Sequence, residues 1–466
     1  MHKRRDFLKT FMSLAAVSAG GSALQCLPVS PAAAATVDDY RALVCVFLFG
    51  GMDCHDTVLP HDDASYASYA QLRSSLLDGY TSQPGGSSRA LQNLLALAPA
   101  GADFGGRQFA LPPQLGGLHT LFNAGQAAIV GNVGPLVEPT DRDAFLAGTA
   151  RVPARLFSHN DQQSTWMSFA PEGAQLGWGG RFGDAAVQSG ANVESIFSQI
   201  SLAGNSVFLT GDLVSPYQIS ASGVPSIALI EAAQRRSGAA VGGIMRDHFA
   251  SANATFDNLF ARDFVNLSRV SLDANDTLER ALREGGSGLA AAFPASALGA
   301  QLQAVAQTIA VREVLGARRQ VFFVALGGFD THATQAADLP ALQQDLGDSI
   351  AAFYAATQEL GVADSVTTFT AADFGRTLTV NGDGTDHGWG GHQFVVGGAV
   401  NGGEIYGDIP PPLLEHAQDA GNGRLIPTTS VEQFAAPLGR WFGLSEPELT
   451  AALPGLGAFP PAPAFI

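Results

Sequence analysis

Two short stretches of this 466-residue sequence share one layout: an apolar residue, two glycines, one bulky apolar residue and an aspartate. They are Phe49-Gly50-Gly51-Met52-Asp53 and Leu326-Gly327-Gly328-Phe329-Asp330, and the second runs on into Thr331 and His332. A carboxylate and an imidazole two positions apart can turn toward one centre, and that donor pair suits Zn²⁺ or a similar divalent ion. A third cluster begins at Asp373 and adds His387 and His392 within Asp386-His387-Gly388-Trp389-Gly390-Gly391-His392, as ligands or anion contacts on a glycine-lined loop. The piece Asn381-Gly382-Asp383-Gly384 hints at a calcium loop, but an EF-hand needs Glu where His392 stands. A fourth cluster, Ser158-His159-Asn160-Asp161-Gln162-Gln163-Ser164-Thr165, combines hydroxyls, amides and an imidazole. That inventory suits a nucleophile with polar substrate contacts, and it suits an N-capped helix start equally well. The candidate metal ligands are therefore Asp53, Asp330, His332, Asp373, His387 and His392. They would hold one or two divalent ions, zinc first, with calcium, magnesium or manganese as the other choices. Each cluster taken alone also reads as a surface turn.

Residues this far apart meet only if the chain delivers them to one edge. Short apolar runs at Leu43–Phe49, Ala127–Val130, Ser206–Leu209, Val321–Leu326, Val366–Thr370 and Phe394–Val396 read as buried parallel strands. Between them, Leu302, Val305, Ala306, Ile309 and Val314, and then Leu339, Leu342, Leu346, Ile350, Phe353 and Tyr354, recur at helical spacing. The alternation predicts an α/β fold, a doubly wound, mostly parallel sheet with helices on both faces. Such sheets place their ligand crevice outside the carboxyl ends of the strands, where the acids and histidines cluster. A mostly helical insertion or cap is expected at about 232–294, and an extended tail at Phe459–Ile466.

The composition narrows the function further. Net charge is −17, only 14% of residues are charged and 46% are hydrophobic, so the chain can bury a large core. An acidic surface excludes nucleic acid as a partner. The start, Lys3-Arg4-Arg5-Asp6-Phe7-Leu8-Lys9, followed by a mildly apolar stretch and Ala32-Ala33-Ala34-Ala35, reads as a twin-arginine signal peptide over residues 1–35. The remainder would be periplasmic or secreted, delivered by the twin-arginine export machinery, with net charge −20. It keeps two cysteines, Cys45 and Cys54, too far apart on an extended segment to bridge. No later run of 18 or more uncharged apolar residues predicts stable membrane insertion.

The ordered set of motifs resembles the exported bacterial domain-of-unknown-function 1501 family. It comprises the leader, Gly50-Gly51-Met52-Asp53, Ser158-His159-Asn160-Asp161-Gln162, Gly327 to His332, Asp373-Phe374-Gly375-Arg376-Thr377, Asp386 to His392 and Gly423 to Thr429. That family is similar to the alkaline phosphatase and sulfatase superfamily, which hydrolyses or transfers phosphate and sulfate esters. The resemblance implies an α/β sandwich with a metal site at the strand ends and a small anionic ester as substrate. It implies Asp53 as the first-strand metal acid, Asp330 and His332 as a later pair, Asp373 as the next acid and His387 as the late histidine; His392 has no counterpart. Phe374 stands where the superfamily's phosphatases carry histidine. No Cys-x-Pro-x-Arg signature is present, which argues against a formylglycine sulfatase, and no Gly-x-Ser-x-Gly elbow marks a serine hydrolase. Ser158 is the first choice of nucleophile, before Ser164 and Thr165, with Arg376 or His159 assisting at the anion. Two expectations result: an exported metal-dependent ester hydrolase, or a non-catalytic ligand-binding or envelope-assembly protein that keeps the fold.

Overall fold

The computed structural model describes residues 39–84, 88–101, 103–192, 195–221, 223, 235, 236, 241, 243, 244, 247, 258–285 and 288–466. Residues 38–466 form one compact unit. The expected leader lies outside the described residues, as does much of the expected insertion; within that stretch, Leu259–Gly285 is a 27-residue helix.

The main sheet contains nine strands: β1 (Arg41–Leu48), β2 (Ala127–Gly134), β3 (Gln199–Ser201), β4 (Tyr217–Gln218), β5 (Arg319–Leu326), β6 (Val366–Ala372), β7 (Gly391–Val396), β8 (Ile405–Gly407) and β9 (Thr429–Ser430). Their order is β8-β2-β7-β6-β1-β5-β3-β4, with β9 beside β2. The fold is mixed α/β with a mostly parallel sheet: β1 pairs in parallel with both β5 and β6, and only β7 runs against its neighbours. Five of the six expected strands are present, but Phe394–Val396, expected to be parallel, lies in β7 and runs antiparallel to both β2 and β6. The sixth, Ser206–Leu209, is a turn of 3₁₀ helix over Val207–Leu209, started by the Ser206 hydroxyl accepting from the Phe208 amide. Its apolar run reflects burial, since Phe208 packs edge-on to Trp178, and a three-residue apolar run does not distinguish turn from strand.

Period-two alternation in β1 feeds two cores. Val44, Val46 and Leu48 share a cluster with Leu302, Val305 and Ile309 of Ala297–Ala310, and with Leu339, Leu346 and Ile350 of Gln335–Glu359. On the other side an aromatic layer joins Phe47 to Phe323, Phe323 to Phe208, and Phe369 to both Trp178 and Phe434, with ring centres 5.5–6.0 Å apart. The extended tail is docked, for Phe465 is fully buried against Phe434. Cys45 and Cys54 are buried free thiols, as expected. Among the described residues no helix is long and apolar enough to cross a membrane.

Candidate metal centre

The second glycine-aspartate turn leaves β5 at its carboxyl end and presents Asp330, whose side chain is 46% exposed. The neighbouring β1 turn supports it through close backbone contact. Gly50 has φ +112, and a Cβ there would sit 2.3 Å from the Asp330 amide nitrogen, so only glycine fits. The Gly50 carbonyl and one Asp330 oxygen both accept from the Arg376 guanidinium, at 3.0 and 2.8 Å. Arg376 leads into a hairpin of Arg376–Asn381 and Gly384–His387, and its remaining nitrogens donate to the side chain and carbonyl of Thr385.

Three histidines from separate segments turn on Asp330. His332 lies two residues behind it, His387 ends the hairpin and His159 opens the helix His159–Ser168. Their Nε2 atoms lie 3.1, 3.2 and 3.4 Å from Asp330 carboxylate oxygens. In each ring the other nitrogen already faces an acceptor. His159 Nδ1 lies 2.6 Å from the buried Asp373 carboxylate, His387 Nδ1 2.7 Å from the Phe157 carbonyl, and His332 Nδ1 3.3 Å from Asp386. Donation by all three Nδ1 atoms leaves every Nε2 as a lone pair aimed at one region. The Nε2 atoms of His332 and His387 are only 2.8 Å apart, an arrangement that a proton or cation between them stabilises. Imidazoles oriented by a carboxylate or carbonyl behind them are the usual outer shell of a metal site. One ligand atom each from His159, Asp330 and His387 falls within 4.8 Å of the others. Around a tetrahedral zinc with bonds near 2.0–2.1 Å, ligand atoms would be spaced by about 3.3 Å, so these three atoms, within 4.8 Å of one another, would draw together to hold such an ion.

The electrostatics are uneven. The hydrogen bond to Asp373 raises His159 above its ordinary pKa; burial opposes this and the charges of Asp373 and Asp330 add to it. His387 is lowered, first by burial and then by His159 and Arg376, against the pull of the Phe157 carbonyl. Burial would raise Asp330, but the Arg376 hydrogen bond and charge, with His159 and His332, outweigh it and hold the carboxyl low. Phe157 adopts φ +70, a left-handed conformation that is uncommon for a bulky residue and that places its carbonyl behind His387.

The six expected ligands separate into different roles. Asp330, His332 and His387 meet, and His159, expected at the anion, joins them. Asp373 stands one shell out: it is fully buried, and the same oxygen that meets His159 accepts from Gln163 at 2.8 Å. Asp53, expected among the ligands, lies apart from this cluster: its buried carboxylate is bonded by Arg73 at 2.6 Å, by Gln335 at 2.6 Å and by the amides of His55 and Asp56. His392 is buried in β7, where Nδ1 accepts from the Asn132 amide, and burial lowers it to about 3. Arg376 is spent on Asp330, Gly50 and Thr385 rather than offered to an anion. The hydroxyls are also engaged elsewhere: Ser158 donates to Asp161, Ser164 to the Pro171 carbonyl and Thr165 to the Asp161 carbonyl. Sequence reasoning overlooked Gln335, whose amide carries no motif. Its oxygen accepts from Thr331 and Thr385 while its nitrogen donates to Asp53 and Asp56, so it ties both flanks of the centre to the buried acids.

The comparisons with known proteins agree with the family resemblance and add no activity. Solved structures similar to the chain include two of Ps i-CgsB. The crystal structure of Ps i-CgsB in complex with k-i-k-neocarrahexaose has TM-score 0.34 and 9% identity, over 88% of this chain and 74% of that one. The crystal structure of Ps i-CgsB has TM-score 0.33 and 8% identity, over 90% and 77%. At such scores the likeness carries no argument. No curated protein matches. The family described as "Protein of unknown function (DUF1501)" matches residues 40–453, nearly the whole described unit, and the chain belongs to that family.

Proposed function

We propose that this protein is an exported, metal-dependent hydrolase of phosphate or sulfate esters with an alkaline phosphatase-like architecture. The observation that carries the proposal is the convergence of three histidine Nε2 atoms on one exposed carboxylate at the carboxyl end of a parallel strand. A divalent cation there, zinc in the first instance, supplies positive charge for the anionic ester and for the oxygen that leaves. His159, Asp330 and His387 would hold it. Asp373 and the Phe157 carbonyl keep two of these imidazoles in the right tautomer. His332, oriented by Asp386, stands beside them with Nε2 as a proton acceptor. In hydrolysis a water oxygen bonds to phosphorus or sulfur, its proton passes to His332, and the bond from that atom to the alcohol oxygen breaks. The leaving oxygen then takes the proton back. Water replaces Ser158 as the nucleophile in this reading, since the Ser158 hydroxyl is held by Asp161. The basic leader and alanine run support export of the chain across the inner membrane.

A second reading, a non-catalytic ligand-binding or envelope-assembly protein on the same fold, draws support from the absence of any described hydroxyl bonded to the cluster and from Arg376, which already neutralises Asp330. One experiment separates the two. Zinc is titrated calorimetrically into the protein and into Asp330→Ala, and turnover of aryl phosphates and aryl sulfates is monitored at saturation. The hydrolase reading expects tight zinc binding, its loss in the variant and chelator-sensitive turnover. Zinc binding without turnover of any ester supports the second reading, and binding untouched by Asp330→Ala overturns the site itself.

A further inference from the structure

Between the helix His159–Ser168 and the start of the helix Val431–Phe442 lies a cavity of about 170 Å³. Its floor is the buried Pro135, Leu136, Pro153, Val431 and Glu432, and its rim is the exposed Val137, Ala154 and Pro171. Among the described residues that border it, two carry polar side chains. Thr165 is already engaged, since its hydroxyl donates to the Asp161 carbonyl at 2.7 Å. Glu432, only 5% exposed, is the one charged group. It is the second residue of Val431–Phe442, and its partners among the described residues are its own backbone amide and the Ser430 hydroxyl, neither of which brings a positive charge. Burial pushes this carboxyl up to about 7, against the pull of those two hydrogen bonds. A Cβ at Gly455 would lie 2.4 Å from Glu432 Oε1, so the glycine there leaves the carboxylate its place. An acid held in apolar surroundings without a countercharge is costly, and acids perturbed in this way beside a cavity mark functional sites.

The lining decides what can complete the cavity. An anion is repelled by Glu432. A metal ion needs several donor atoms, which one carboxylate and a spent hydroxyl do not supply. A neutral hydrocarbon fills the space but leaves the carboxylate with neither water nor countercharge. Water serves the carboxylate but not the remaining volume, because each molecule needs about two to four polar partners. The carbonyls of Pro135 and Ala154 already accept from the Trp389 indole and the Gln162 amide, at 2.7 and 3.3 Å. A protonated amine on an apolar body satisfies both parts. Its N–H groups make charge-assisted hydrogen bonds to the carboxylate, and its hydrocarbon lies against the prolines, Leu136 and Phe169. A cavity of about 150 Å³ accepts a six-carbon ring, so this one has room for a body of about that size.

We infer that this cavity is a binding site for a small ammonium compound with an apolar body of about six carbons, held through Glu432. None of the metal-centre residues borders it, and the inference does not depend on the hydrolase reading. The test titrates cyclohexylammonium, cyclohexanol and cyclohexanecarboxylate calorimetrically into the full exported protein, into Glu432→Gln and into Asp330→Ala. The titrations run at about pH 8, where the amine is charged. Cyclohexylammonium should bind once per chain with Kd below about 1 mM, and the other two probes at least about tenfold more weakly. Glu432→Gln should weaken the ammonium at least about tenfold and leave zinc binding unchanged, whereas Asp330→Ala should leave ammonium binding unchanged. Failure of cyclohexylammonium to bind overturns the site, and so does equal binding of cyclohexanol, which would make the cavity a plain apolar hole. Affinity that survives Glu432→Gln, or disappears in Asp330→Ala, places the ammonium elsewhere and overturns it too. The comparison among the three probes uses the unaltered protein, so it decides the question even where Glu432→Gln folds poorly. Absence of ester turnover removes the hydrolase and leaves this site standing.

Discussion

Asp53 and Asp330 end the same five-residue pattern, yet one is sealed inside the molecule and the other stands open at its edge. Both leave adjacent parallel strands, β1 and β5, through paired glycines. The difference arises in the segments immediately downstream of each turn. After Asp53, the helices Asp63–Leu72 and Ser74–Ser82 fold back over the turn. The residue between them, Arg73, points inward and bonds Asp53 and Asp56 with no exposure on either side. Tyr69 and Tyr80 close the Asp56 carboxylate from above. After Asp330 the chain enters Gln335–Glu359, which lies along the sheet and leaves the carboxylate uncovered, so remote histidines can reach it. A motif thus specifies where a carboxylate leaves a sheet, and the covering elements decide whether it becomes an internal ion pair or a ligand. Buried pairs of this kind contribute order more than stability, because desolvation offsets most of the attraction.

This contrast can be broken most severely at Arg73. Arg73→Met strands two carboxylates in the core and should cost about 3–5 kcal/mol in denaturant unfolding. Asp330→Asn, at the exposed end, keeps an acceptor for the buried Arg376 and should cost roughly 1–2 kcal/mol, less than Arg73→Met, while abolishing cation binding. Comparable losses from the two variants would erase the distinction. Gln335→Leu tests the bridge between the regions. It should lower stability by roughly 2–3 kcal/mol through unsatisfied buried partners, and weaken zinc binding in the same protein. Stability loss with unchanged zinc affinity would show that the bridge does not reach the open centre.

The histidines sharpen the contrast through pH. His55 and His392 are buried and lowered to about 3, so between an unfolded value near 6.5 and that folded value only the unfolded chain takes up their protons. Stability is therefore lost as pH falls through 6.5, by about 2 kcal/mol per histidine between pH 7 and 5. His159 has the opposite sign: its folded pKa is raised, so its contribution is present below 6.5 and lost as pH rises through the folded value. Denaturant midpoints at pH 7 and pH 5 should draw together in His392→Gln; an unchanged gap would contradict the assignment. The smallest expected effects lie behind the open ligands. Asp373→Asn should weaken zinc about 10–100-fold by calorimetry, whereas Asp386→Asn, at an exposed contact, should change affinity only a few-fold.

Much of the centre is legible in one dimension. Asp330, His332 and His387 carry their chemistry in residue type and sit next to glycines at strand ends, and parallel strand ends gather such residues. Asp53 and His392 look the same along the chain but lie under Arg73 and within β7. The spacing of Arg73, twenty residues from its partner between helices of ordinary composition, signals nothing. Ser158 illustrates the opposite error, for a hydroxyl beside a histidine suggests a nucleophile where the fold uses it to bond Asp161. Gln335 and the Phe157 carbonyl are illegible because backbone groups and amides have no distinctive sequence pattern; only contact gives them a role.

Composition, periodicity and spacing alone determined that this chain folds around a mostly parallel sheet with unbridged cysteines and a net negative charge, because apolar spacing and charge count are one-dimensional quantities. Which acid faces water, which imidazole nitrogen is left with its lone pair, and which arginine is already taken were decided by tertiary structure. Those outcomes depend on covering helices and on hydrogen-bond partners tens to hundreds of residues away, and no local pattern records them.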